Sequence, residues 1–152
     1  MIDGENGRAV RLSLLLAWAL WSFSTPSAFG QTSQLLLFGG EDQKTFLGCL
    51  NCSQSDGRSI CDQFGEYGSQ FNDGSIWNQF GNFGSPLSSD SPWNQYSTSG
   101  PIVMDKSGQS YGRFTSNRSA PDRTRIEALN RLADSVTRET DLEKARDLFC
   151  DR

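Results

Sequence analysis

Apolar positions follow three rhythms along this chain. Residues 12–23 are an almost unbroken apolar run, residues 31–119 are polar with short apolar clusters and isolated aromatics, and beyond Pro121 apolar residues return at helical spacing. The clusters predict two hairpins: residues 35–38 with 45–50 around a polar turn at 39–43, and residues 102–104 with 110–114 around 105–108. Both hairpins can join in one antiparallel sheet. After Pro121, Ile126, Leu129, Ala133 and Val136 make one stripe, and Leu142, Ala145 and Phe149 restart it in a new phase. That change of phase predicts two short helices packed on the sheet, with Thr140 and Glu143 as a capping box at the break and outer Arg and Glu as solvated charge.

Between the hairpins the pattern repeats every 16 residues. Ser59-Ile-Cys-Asp-Gln-Phe-Gly65 is echoed by Ser75-Ile-Trp-Asn-Gln-Phe-Gly81 and by Ser91-Pro-Trp-Asn-Gln-Tyr96, while Gly68, Gly84 and Gly100 align, as do Phe71, Leu87 and Val103, and Tyr67 pairs with Phe83. A longer echo at four periods sets Phe46-Leu-Gly48 against Ser110-Tyr-Gly112. In each unit the leading Ser suits a helix N-cap, Pro92 a first helical position and the following Gly a left-handed stop, so one short helical turn per unit is expected, separated by turns and brief extended pieces. The fold class that follows is α+β: a small antiparallel hairpin sheet, short helical turns in the 16-residue repeats, then two C-terminal helices.

The apolar run at residues 12–23 is preceded by Arg8 and Arg11 and followed by small, turn-prone residues at 24–28, the order of a secretory signal. Its 12 residues fall short of the roughly 20 that a membrane-spanning helix needs. Cleavage after Ala28 or Gly30 leaves one small exported domain at residues 31–152, with repeats at 59–106 and a helical segment at 120–150, no transmembrane anchor, and a periplasmic or secreted destination. Leu47-Gly48-Cys49 looks like the end of a lipoprotein box, but it lies 26 residues beyond the apolar run and has Phe46 where Leu is wanted.

Composition narrows the chemistry. Residues 31–112 hold three basic and eight acidic side chains, and residues 113–152 hold nine and eight, so neither half offers the basic stripe that nucleic acid or anionic membrane demands. The chain has no histidine, which removes Ser-His and Cys-His nucleophile pairs and the commonest general base. Carboxylate pairs such as Glu66 with Asp62 or Asp73 could in principle cleave glycosides, and Asp73, Asp90 and Asp105 stand in contexts that expose oxygens to calcium, yet no spacing selects them and no complete calcium loop is present. No catalytic residue, metal or cofactor is therefore assigned. Asn51-Cys-Ser53 and Asn117-Arg-Ser119 are glycosylation sequons, relevant in a eukaryotic host.

Four cysteines, Cys49, Cys52, Cys61 and Cys150, all lie beyond the expected cleavage point, and a core short of aliphatics needs staples. Two disulfides are the first reading, with Cys150 joined to one of the other three; a four-thiolate zinc site or a redox-active Cys49-x-x-Cys52 are the alternatives.

The run from Phe46 through the repeat units to Phe114 resembles a family of exported bacterial proteins of unknown function, in which units of the form Asp-Ser-Ile-x-Asn-x-Tyr-Gly-x-Tyr-Gly-Ser recur between Leu-Gly segments. The resemblance covers about half the chain, departs from the pattern where Phe replaces Tyr and at Pro86 and Leu87, and implies export and a bacterial source. Two function classes follow. One is a non-catalytic module in which Trp77, Phe80, Trp93 and Tyr96, with Gln79 and Gln95 beside them, contact an envelope glycan; the other is a structural or interaction domain docking an envelope protein. The two differ in where the indoles point.

Overall fold

The computed structural model describes residues 33–138 and 141–151. The apolar run at 12–23, the expected cleavage points and Thr140 lie outside them. Within the described residues the fold is α+β, with strands β1 (Leu35–Gly39), β2 (Thr45–Cys49), β3 (Ile102–Asp105) and β4 (Ser110–Arg113), then helices α1 (Glu127–Arg138) and α2 (Leu142–Cys150). No helix among the described residues is long and apolar enough to cross a membrane.

The two hairpins share one antiparallel sheet in the order β2-β1-β3-β4, so the first strand of each hairpin pairs with the other at the centre. Both outer strands carry an irregularity in their pairing, and in each a glycine sits at positive φ, Gly48 at 115° and Gly112 at 89°. These glycines are fixed by space as well as by dihedral. A Cβ on Gly48 would lie 2.7 Å from Ile60 Cγ2, and one on Gly112 would lie 2.8 Å from the Asp122 carbonyl oxygen. Immediately after each glycine the chain makes the same isolated parallel bridge to a residue ten positions on, Cys49 with Ser59 and Arg113 with Arg123. The Leu-Gly and Tyr-Gly echoes are thus the two places where an edge strand turns outward to receive the segment that follows it.

One apolar core joins the sheet, the segment between the hairpins and the two helices. Leu37, Leu47 and Val103 come from the sheet, Ile60, Ile76, Trp77 and Trp93 from the segment between the hairpins, and Leu129, Leu132, Ala133, Leu142 and Ala145 from the helices. Ile126, Val136 and Phe149 are partly buried at its margin. Two expectations about the helices need correcting. The N-cap of α2 is Asp141, one residue later than Thr140, because its carboxylate accepts from the Glu143 and Lys144 amides at 3.0 and 3.2 Å. Arg146 is not a solvated charge: it is 4% exposed, donates to the Gly68 carbonyl and to Asp147, and lies in an ion pair with Glu143 at 3.8 Å.

Candidate functional site

The segment from Ser59 to Ser97 contains no continuous helix and no strand; its turns are single, closed by amide-to-carbonyl bonds over three or four residues. Successive turns share their end residues except between Ser69 and Asn72. Amide-to-carbonyl bonds close from Asp62 to Ser59, Gly65 to Asp62, Ser69 to Gly65, Ser75 to Asn72, Asn78 to Ser75 and Gly81 to Asn78, and continue from Ser85 to Gly81, Ser88 to Ser85 and Ser91 to Ser88. Side chains satisfy the amides that such turns leave open. The Oγ of Ser59, Ser75 and Ser91 accepts from the amide two residues on (3.1 Å in each case), and Oδ1 of Asp62, Asn78 and Asn94 does the same for Phe64, Phe80 and Tyr96. The leading Ser therefore caps a turn rather than a helix. Gly65 and Gly81 are not left-handed stops either, since neither has a positive φ, and Gly68 and Gly84 are glycine because a Cβ would overlap the Asp62 and Asn78 backbone.

This winding sorts the aromatics by position in the unit. The third position, Cys61, Trp77 and Trp93, faces inward: Trp77 is 1% and Trp93 3% exposed, their rings stack at 5.5 Å, and each indole N–H donates to a carbonyl of the preceding unit, Ile60 at 2.7 Å and Ile76 at 2.5 Å. Phe114 closes the far end of the stack edge-on, 5.3 Å from Trp93. Trp77 and Trp93 are consequently core residues, each buried with its indole N–H already bonded, although Trp77 also borders the larger of two clefts beside α2. The sixth position faces outward. Phe64, Phe80 and Tyr96 are 89%, 88% and 91% exposed, each preceded by an exposed Gln63, Gln79 or Gln95. A second exposed row is formed by Phe71 and Leu87, while Val103, at the same place in the period, is buried in β3. Of the six expected contact residues, the structure puts Phe80, Tyr96, Gln79 and Gln95 at the surface, and it adds Phe64 and Phe71. Their signal was present in the sequence, because they occupy the same positions in the period.

Two surface clefts lie between this ridge and α2. One, of about 650 Å³, has Gln70, Phe71, Gln79 and Phe80 on one wall and Asp141 and Glu143 on the other. The second, of about 210 Å³, has Gln63 and Phe64 facing Asp147 and Asp151, with Asp62 and Arg146 at its floor and walls. Three of the candidate acids are engaged in the turns. Asp62 holds a turn in the place that Asn78 and Asn94 fill in the next units, Asp90 accepts from Asn82, and Asp105 closes the β3–β4 turn by accepting from Ser107 and Gln109. That last carboxyl sits below the usual range, chiefly through the Ser107 hydroxyl bond. Among the described residues no group of three or more His, Cys, Asp or Glu side chains is placed to hold a metal ion.

The cysteines pair as Cys49–Cys52 and Cys61–Cys150, so no thiolate is left for zinc and Cys49 has no sulfur free for a lipid. Both sequon amides are engaged, Asn51 donating to Ser33 and Asn117 to Ser97. Comparison of the chain with protein-family models, with curated proteins and with solved structures finds no match.

Proposed function

We infer that this chain is a non-catalytic binding module working outside the cytoplasm of a bacterium, in the periplasm or secreted, where the ridge of outward aromatics holds an envelope glycan. The observation that carries this reading is the row of Phe64, Phe80 and Tyr96, nearly fully exposed at one position of three successive units and each beside an exposed glutamine. A folded domain leaves few large rings bare, and contiguous exposed apolar surface marks a contact site. Flat ring faces with amides beside them suit sugar rings, which present C–H faces and hydroxyl edges. The disulfides, the signal-like N-terminus and the resemblance to exported proteins support export.

The test is a pull-down on insoluble bacterial cell-wall polysaccharide with the chain and its Phe64→Ala, Phe80→Ala, Tyr96→Ala triple variant. The variant is expected to keep its melting temperature, because the rings contribute little to the core, and to lose retention. Failure of the unmodified chain to bind any envelope glycan would sink the reading.

A second reading, docking of an envelope protein, draws on Leu87, an aliphatic side chain 90% exposed in the row with Phe71. An aliphatic group offers no ring face to a sugar and fits a protein pocket. Site-specific cross-linking at residue 87 in intact envelopes would yield a discrete protein adduct on this reading and none on the other.

A further inference from the structure

We propose that the ligand of this ridge is a polysaccharide of amine-bearing sugars, held with its protonated amines in the two clefts beside α2; this rests on the glycan reading above. The argument is charge complementarity along an apolar surface. Each cleft pairs an outward ring and amides with carboxylates from the opposite wall: Phe80 and Gln79 face Asp141 and Glu143, and one unit earlier Phe64 and Gln63 face Asp147 and Asp151. Arg146 lines the second cleft only; it is buried, bonded to Asp147 at 2.8 Å and paired with Glu143 at 3.8 Å, and Lys144 stands beside Glu143 on the same helix. Acids still outnumber cations in both linings, Asp141 and Glu143 in the first and Asp62, Asp147 and Asp151 against Arg146 in the second, so an anionic ligand would meet net like charge at each, and at the start of α2 the Glu143 and Lys144 amides are already taken by the Asp141 carboxylate. A protonated amine is favoured twice, by the carboxylates and by the electron-rich ring faces. A neutral sugar uses the rings and amides but gains nothing from the acids.

Two variants separate these terms without disturbing the turns. Asp62→Asn places at that position the residue that units two and three carry as Asn78 and Asn94, and Glu143→Gln keeps the shape of a half-exposed side chain. Calorimetric titration of the full, disulfide-bonded chain would use a β-1,4-glucosamine hexamer, its N-acetylated counterpart and an oligogalacturonate. The glucosamine hexamer is expected to bind about tenfold more tightly than the N-acetylated one at low salt, the sum of a few exposed ion pairs, with the gap narrowing as salt rises. The oligogalacturonate is expected to bind weakest. Asp62→Asn with Glu143→Gln should bring the first two to within about twofold by weakening only the charged one, while Phe64→Ala with Phe80→Ala should weaken both. Equal affinity for the charged and N-acetylated hexamers, or a preference untouched by the charge variants, would overturn the amine assignment and leave the glycan reading standing. Competition by poly-L-lysine that ignores the ring variants would overturn it in favour of unspecific cation binding. Binding of none of the three sugars by a chain still retained on cell-wall polysaccharide would overturn the amine assignment alone, whereas loss of that retention as well would remove both proposals.

Discussion

Ser75 shows how much of this fold is held by short polar side chains. It has no exposed surface, its Oγ accepts from the Trp77 amide at 3.1 Å and donates to the Tyr67 carbonyl at 2.9 Å, and it thereby joins two turns and seats an indole. Ser75→Ala removes both bonds and leaves the Trp77 amide buried without that acceptor. The expected cost is about 2–3 kcal/mol, read as a lower urea midpoint at unchanged slope. Gln79→Ala, four residues on and exposed, is expected to stay within about 0.5 kcal/mol. The period of 16 residues was legible in the sequence, and so was the likeness of Ser59, Ser75 and Ser91. What could not be read was the kind of turn. The same Ser can cap a helix or accept from an amide two residues on, and only the path of the next residues decides which.

The elements dock through a few charged contacts that are more than surface decoration. Asp134 on α1 accepts from Arg118 and Arg123, both in the connection that follows β4, with Arg118 Nη2 at 3.0 Å and Arg123 Nη2 at 3.2 Å. Burial works to raise the Asp134 pKa, but the bonds from Arg123 and Arg118 outweigh it and hold the carboxyl below its ordinary 3.8. A carboxyl whose folded pKa is depressed contributes stability above the unfolded value, and that contribution is lost as pH falls through the folded value. Stability is therefore expected to fall as the pH drops below about 4. Asp134→Asn should flatten that decline and cost about 1 kcal/mol at neutral pH, which urea unfolding at several pH values would measure. Both hairpins and both helices were readable from apolar spacing. The burial of Arg146 was not, because its acceptor, the Gly68 carbonyl, lies 78 residues away in the chain.

At the scale of the whole molecule the Cys61–Cys150 disulfide joins the end of α2 to the first repeat unit across a sequence separation of 89 residues. Cys61 stands where the next units carry Trp77 and Trp93, so the bridge replaces an indole at the open end of the stack, as Phe114 closes the other end. Cys61→Ser with Cys150→Ser is expected to cost about 4 kcal/mol, against about 2 kcal/mol for removing Cys49–Cys52, whose loop is only three residues long. Thermal melts of the two double variants would rank them, and the reverse order would contradict the role given to the long loop. Because α2 forms one wall of both clefts, the Cys61–Cys150 variant should also weaken ligand binding before the protein unfolds.

Periodicity by itself determined the two hairpins, the two helices and the repeating segment between them, because apolar side chains spaced at two, at three to four, or at sixteen residues have few ways to leave water together. It also named the positions at which a binding face would recur. Which of those positions faces out was decided by the tertiary structure alone. Tryptophan at the third place of a unit and phenylalanine or tyrosine at the sixth are equally hydrophobic in a pattern, and it is the linked turns, stacked so that each indole N–H reaches the carbonyl of the unit before, that bury one and leave the other bare. Cysteine pairing followed the same logic. Four cysteines allow three pairings, and the chain chooses between them only once Cys61 and Cys150 have been brought to 5.5 Å between their Cα atoms by the packing of α2 on the repeats.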